Sequence, residues 1–98
     1  MAVKDEEILA KLLAYDRYIG LKQLRDALNV SNSINAADFI EFAERIQNLE
    51  YDKLIAYEGI SDIRPSGQQN REWINNNLGS IKVRITANGK MWLKEYKK

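Results

Sequence analysis

The chain contains no cysteine and no histidine. It therefore has no disulfide bond, no thiolate nucleophile, no imidazole base and none of the usual zinc ligand sets. It also offers no glycine-rich phosphate loop, no convergent cluster of acids and no nucleophile beside a base. We predict a protein stabilised by packing alone, without metal, cofactor, small-molecule substrate or catalytic residues, and hence not an enzyme.

Long hydrophobic runs are missing as well. The first residues, Met1 to Glu7, turn acidic at once and lack the apolar core of a signal peptide, and no later segment reaches the length of a membrane-spanning helix. These absences predict a cytoplasmic protein that does not associate with membranes.

An excess of either charge is also lacking, because fifteen lysines and arginines face fourteen acids and leave a net charge of +1. No global field therefore attracts the chain to phosphate or anionic lipid, and any basic surface must be local. The length of 98 residues, 45% of them hydrophobic, predicts one small domain that spans residues 1–98.

What the chain does contain is helical patterning in its first half. Apolar residues recur at helical spacing in Asp5 to Tyr15 and again from Leu21 to Leu28, where Asn29 is expected to end the second helix. A third helix is expected after Asn35, whose spacing to Asp38 resembles a helix start. Its buried stripe is predicted to be Phe39, Phe42, Ala43, Ile46 and Leu49.

Strand patterning appears in the second half. Residues 54–57 form an apolar run, and Ile81, Val83 and Ile85 alternate with Lys82 and Arg84, as expected for a strand with one buried and one basic face. Thr86 is expected to cap a last helix that Trp92, Leu93 and Tyr96 pack against the core.

The segment between these strands, residues 59–80, is long for a hairpin connection. Ser66 and Gln69 have capping-box spacing, Trp73, Ile74 and Leu78 recur at helical spacing, and Gly79 suits a helix end, which together favour an inserted helix. A long β-ribbon that carries Arg64 and Arg71 is the alternative, and the two remain open.

Three stretches resemble the winged-helix family of DNA-binding domains. The segment ILAKLLAYDRYIGLKQLRDALNVS (residues 8–31) is similar to the family's first two helices, and NLEYDKLI (48–55) to the end of its recognition helix and the first wing strand. RITANGKMWLKEY (84–96) resembles the second wing strand and a terminal helix. Lys53 stands where the family often has glycine, and the wing is longer than is usual. The resemblance implies an α+β fold of three helices, a two-stranded wing with a long insertion, and a C-terminal helix.

The resemblance further implies a regulator of transcription or replication that binds duplex DNA and dimerises. In the family the third helix enters the major groove and the wing contacts phosphate. The residues that we expect to contact DNA lie on the second helix, the third helix and the wing: Lys22, Arg25, Asn35, Arg45, Asn48, Arg64, Arg71, Lys82 and Arg84.

Interpretations without a DNA contact remain open for these residues. Glu41 and Arg45 have the spacing of an ordinary surface ion pair, and the basic residues near the wing could be a solvated face that keeps the chain soluble. The acids Asp38, Glu41 and Glu44 suit DNA poorly. The alternative function is a winged-helix protein-interaction module without direct nucleic-acid binding, in which the acidic third helix or Trp73 faces the partner. A structural alternative for Trp73 is that it closes a small core with Ile63 and Leu78.

Overall fold

A computed structural model describes residues 4–58 and 68–96, with the backbone alone for residues 68–71. Within these stretches the chain forms five helices and three strands. In chain order they are α1 (Asp5–Tyr15), β1 (Ile19–Gly20), α2 (Leu21–Ala27), α3 (Ala37–Tyr51), β2 (Ile55–Glu58), α4 (Gln68–Asn76), β3 (Lys82–Ile85) and α5 (Ala87–Tyr96). The α+β class expected from the sequence is confirmed.

The strands form one antiparallel sheet in the order β1-β3-β2. Central β3 pairs with β2 from Ile55 opposite Ile85 to Glu58 opposite Lys82, which confirms the expected strand pair. On its other edge Val83 lies opposite Ile19. Strand β1 was not predicted from the sequence, because two residues are too few to show alternation and Gly20 is typical of a break between helices.

The core lies between the helices and one face of the sheet. The apolar stripe of α3 is buried as predicted, together with side chains of α1, α2 and β3. Leu13, which shares the apolar spacing of α1, is instead 39% exposed. Because Val83 and Ile85 point into this core, Lys82 and Arg84 are directed to the opposite face of the sheet.

Two helices end in Schellman motifs. After α3, the amide of Leu54 donates to the carbonyl of Leu49 and the amide of Lys53 to that of Glu50. Lys53 has a φ of 64°. Winged-helix domains, which the sequence resembles, often have glycine at this position. Asn29, with a φ of 57°, ends α2 in the same way, as predicted.

The predicted start of α3 is wrong. The helix begins at Ala37, and Ala36 occupies the N-cap position without a side-chain hydrogen bond. The carboxylate of Asp38 accepts hydrogen bonds from the amides of Ser31 and Phe39, at 2.8 and 2.9 Å. Asp38 thus ties the preceding loop to the helix, whereas Asn35 lies exposed in that loop.

Of the two alternatives for residues 59–80, the described part is helical. Ile74 and Leu78 are buried in the main core, and α4 packs against α3. Trp73 is half-buried and its ring lies 6.3 Å from that of Tyr57. The predictions for Ile63 and Ser66 lie outside the described residues, as does the course of the chain from 59 to 67.

The last helix packs against α1. Thr86 caps it as expected, because its hydroxyl oxygen accepts a hydrogen bond from the amide of Gly89 at 3.0 Å. Leu93 is buried and Trp92 half-buried, but the expectation for Tyr96 is wrong. Tyr96 is exposed, stacks on Trp92 and donates a hydrogen bond to the Glu6 carboxylate, because α5 and α1 run antiparallel and bring these ends together.

Candidate nucleic-acid interface

The outer face of the sheet carries two of the predicted basic residues. Lys82 is exposed and lies opposite Gly20 on one side and Glu58 on the other. Arg84 lies two residues further along the same face, opposite Ala56. The small Gly20 and Ala56 crowd neither cation, but the exposed Glu58 lies directly opposite Lys82.

Helix α2 adds a third cation at the same end of β3. The amide of Leu21 donates to the carbonyl of Ile81 at 2.9 Å, so α2 begins directly beside the strand. The exposed Lys22 follows. Neither Lys22 nor Lys82 forms an ion pair within the described part of the chain, where Glu58 is the residue opposite Lys82.

A fourth cation, Lys90, comes from α5. Its ammonium nitrogen lies 2.9 Å from Oδ1 of Asp16, and Nη2 of Arg84 lies 3.6 Å from the same oxygen. One carboxylate thus holds the cations of β3 and α5 next to each other. We call the set Lys22, Lys82, Arg84 and Lys90 the basic face.

Asp16 follows the last residue of α1 with a φ of 50° and a ψ of 39°, a left-handed conformation that aspartate adopts more readily than most residues. Its side chain is about half exposed. The hydrogen bond and charge of Lys90, aided by Arg84, lower the pKa of the Asp16 carboxyl below its ordinary value of 3.8. The carboxylate is therefore ionised at neutral pH.

Arg25 does not fit the role predicted for it. Its side chain is nine-tenths buried, and its guanidinium donates to the carboxylate of Asp26 at 3.0 Å. The apolar face of α2 includes this position, which the sequence pattern assigned to Leu21, Leu24 and Leu28 alone. Arg25 is held within the protein, so it leaves the set of residues available to phosphate.

The face of α3 expected to contact DNA is acidic in the structure. Arg45 lies 3.4 Å from Glu41, which matches the surface ion pair considered from the sequence, and 3.6 Å from Asp5 of α1. Asn48 and Glu44 are exposed on the same helix. Its one arginine is therefore neutralised, and Asn48 is an uncharged, exposed candidate for base contact.

The basic face and the exposed face of α3 lie at different places on the molecule. Arg45 contacts Asp5 at the start of α1, whereas Arg84 and Lys90 contact Asp16 at its end. An eleven-residue helix is about 16 Å long. The structure therefore brings Lys22, Lys82 and Arg84 together and keeps Arg45 apart from them.

The remaining predicted residues have mixed outcomes. Arg71 lies on α4, but its side chain is outside the described part of the structure, and so is all of Arg64. Trp73 is half-buried against Tyr57, so only part of its surface is available to a partner. Neither Asp16 nor Lys90 was predicted from the sequence as part of the site, because contacts between such distant positions leave no local pattern.

Among residues 4–58 and 68–96, no group of three or more acids could hold a metal ion. In the same residues no helix combines the length and the apolar character needed to cross a bilayer. Comparisons of the chain with models of protein families, with curated proteins and with solved structures give no match.

Proposed function

We propose that this chain is a winged-helix domain that binds duplex DNA. The order of its elements supports the proposal: a helix, a short strand, two helices, and then two strands that pair with each other across an inserted helix, α4. The short strand after the first helix adds to the edge of the wing, in the order β1-β3-β2. In this arrangement α3 is the family's recognition helix, and β2 and β3 form its wing.

The observation that carries DNA binding is the basic face. Lys82 and Arg84 lie on the outer face of the sheet, Lys90 shares Asp16 with Arg84, and Lys22 lies at the start of the helix beside β3. Lys22 and Lys82 have no ion pair among the described residues. Lysine and arginine side chains that face phosphates release counterions from DNA, and this release supplies sequence-independent affinity. The face would therefore grip the DNA backbone.

Base recognition by α3 is a poor fit with the same structure. Glu41 and Glu44 would approach the phosphate polyanion, and Arg45 already has two carboxylate partners. We propose that the basic face makes most of the DNA contacts and that α3 makes few. Such a protein would discriminate weakly between DNA sequences, because phosphate contacts position a protein without reading bases.

Two matched double variants test this mode. Lys22→Gln with Lys82→Gln removes two cations from the basic face, and Lys4→Gln with Lys11→Gln removes one that precedes α1 and one within it. Fluorescence anisotropy with a random duplex of about twenty base pairs would be measured over a series of salt concentrations. We expect the first double variant to reduce the log–log salt slope by about 1.8 and the second to change it little.

Equal effects of the two double variants would mean that net charge, and not the basic face, governs binding. No binding of the wild-type protein at low salt would remove DNA as the ligand. Circular dichroism before each titration controls for folding.

A protein-interaction module is the second candidate, and the exposed side of α3 favours it. Tyr51 is 82% exposed on this helix, and Ile40 is only half-buried near Glu41 and Glu44. An aromatic anchor beside acids suits a basic, partly apolar partner. If this is the function, Tyr51→Ala weakens a complex recovered from cells while the Lys22 and Lys82 double variant leaves it intact; the reverse result excludes the α3 surface.

A further inference from the structure

Asp16 occupies a place that an external anion would otherwise take. Its carboxylate lies between Lys90 and Arg84, and among the described residues it is the only acid paired with either cation. Carboxylate and phosphate oxygens are recognised by the same charge-assisted hydrogen bonds from lysine and arginine. A DNA phosphate at this part of the basic face would meet the same two donors.

We propose that Asp16 acts as an intramolecular phosphate mimic, which competes with the DNA backbone for Arg84 and Lys90 and so restrains the affinity of the basic face. This inference rests on the proposed DNA binding, because it assigns a regulator to the same surface. When DNA binds, a phosphate displaces the carboxylate and the two cations exchange one anion for another.

The exposure of the three groups makes such an exchange feasible. The side chains of Arg84 and Lys90 are 42% and 41% exposed, and that of Asp16 is 53% exposed. Ion pairs at this level of exposure are weak, because water solvates the separated charges well. Asp16 can thus offset one of the two positive charges in the free protein and still be displaced by a phosphate.

The position of Asp16 in the chain also separates its charge from its structural role. The residue ends α1 in the left-handed region, which asparagine and glycine also adopt. Asp16→Asn therefore removes the carboxylate and keeps the backbone. Asp16→Gly does the same without any side chain, and serves if the asparagine variant should prove unstable.

The test compares Asp16→Asn with Glu44→Gln in the duplex titration. Both changes remove one negative charge, but Glu44 lies on the exposed side of α3 and has no ion pair among the described residues. The Debye length is about 10 Å at 0.1 M salt, so the more distant charge is largely screened. We expect Asp16→Asn to tighten binding roughly fivefold more than Glu44→Gln.

The salt dependence gives a second readout that a structural role would not change. In Asp16→Asn one or both of Arg84 and Lys90 become free to contact phosphate, which should steepen the log–log salt slope by about 0.9 to 1.8. In a protein that already carries Arg84→Gln and Lys90→Gln, Asp16→Asn should have no more effect than Glu44→Gln.

Two results would overturn the inference. One is an equal increase in duplex affinity for Asp16→Asn and Glu44→Gln. The other is an increase for Asp16→Asn that persists in the protein carrying Arg84→Gln and Lys90→Gln. If neither the wild type nor Asp16→Asn binds duplex at low salt, the proposed function falls and the inference with it. If only Asp16→Asn binds, the mimic is supported, but DNA binding by the native protein is not.

Discussion

The hydroxyl of Thr86 donates a hydrogen bond to the carbonyl oxygen of Lys53 at 2.7 Å. The same oxygen atom of Thr86 accepts from the amide of Gly89, so one side chain both caps α5 and holds the turn that leads from α3 into β2. The turn before β2 and the start of α5 are thus fixed to each other.

We expect Thr86→Val, which keeps the shape and removes the hydroxyl, to lower the free energy of unfolding by about 1–2 kcal/mol. Both hydrogen bonds are lost in this variant. Thr86→Ser keeps both, so it should cost much less. Urea denaturation of the three proteins measures the differences, and equal stability of the valine and serine variants would show that the hydroxyl contributes nothing.

A substitution at Lys53 is expected to stabilise the protein. The φ of Lys53, 64°, lies in the left-handed region, where residues other than glycine are strained. Lys53→Gly should therefore raise the free energy of unfolding by about 1 kcal/mol. The same substitution at Lys94, inside α5, should lower it by about 1 kcal/mol. A loss of stability at both positions would contradict the strained turn.

Thr86 and Lys53 differ in how far their structural roles can be predicted from the sequence. The cap at Thr86 is visible because capping follows from residue type at the start of an apolar helical pattern. The strain at Lys53 is not, because lysine carries no local signal for a positive φ. Its bond to Thr86 is equally hidden, since it joins positions 33 residues apart.

The same distinction separates the fold from the candidate site. The stripe of α3 and the alternation in β3 are periodic, so the core and the main strand pair were predictable. The roles of Arg25 and Asp16 depend on which neighbours the folded chain brings to them. Periodicity placed Arg25 on a helix but did not reveal that its side chain is buried and paired with the exposed Asp26.

Close packing at Gly89 provides a third prediction. A Cβ atom added there would overlap the carbonyl oxygen of Leu54 and crowd Cγ1 of Ile85. Since that carbonyl already accepts from the Thr86 amide, it cannot move freely. Gly89→Ala should cost about 2 kcal/mol or more. Gly79, whose added Cβ would meet nothing within 4 Å, is the control, and Gly79→Ala should be nearly neutral.

The pKa of Asp16 gives a prediction about pH. Lys90 and Arg84 lower this pKa in the folded protein, so Asp16 contributes stability above its unfolded pKa and loses that contribution as the pH falls through the folded value. Carboxyl-carbon NMR should show a midpoint below 3.8 for Asp16, and Lys90→Gln should raise it. A midpoint at or above 3.8 in the wild type would mean that the ion pairs do not form in solution.

NMR mapping of the DNA contact surface tests the central claim most directly. Amide shifts of the labelled protein would be followed as a random duplex is added at low salt. We predict that the largest changes fall in residues 16–22, 82–84 and 90, with little change at Glu44 and Asn48. Changes centred on α3, or no changes at any residue, would contradict a DNA-binding surface on the outer face of the sheet.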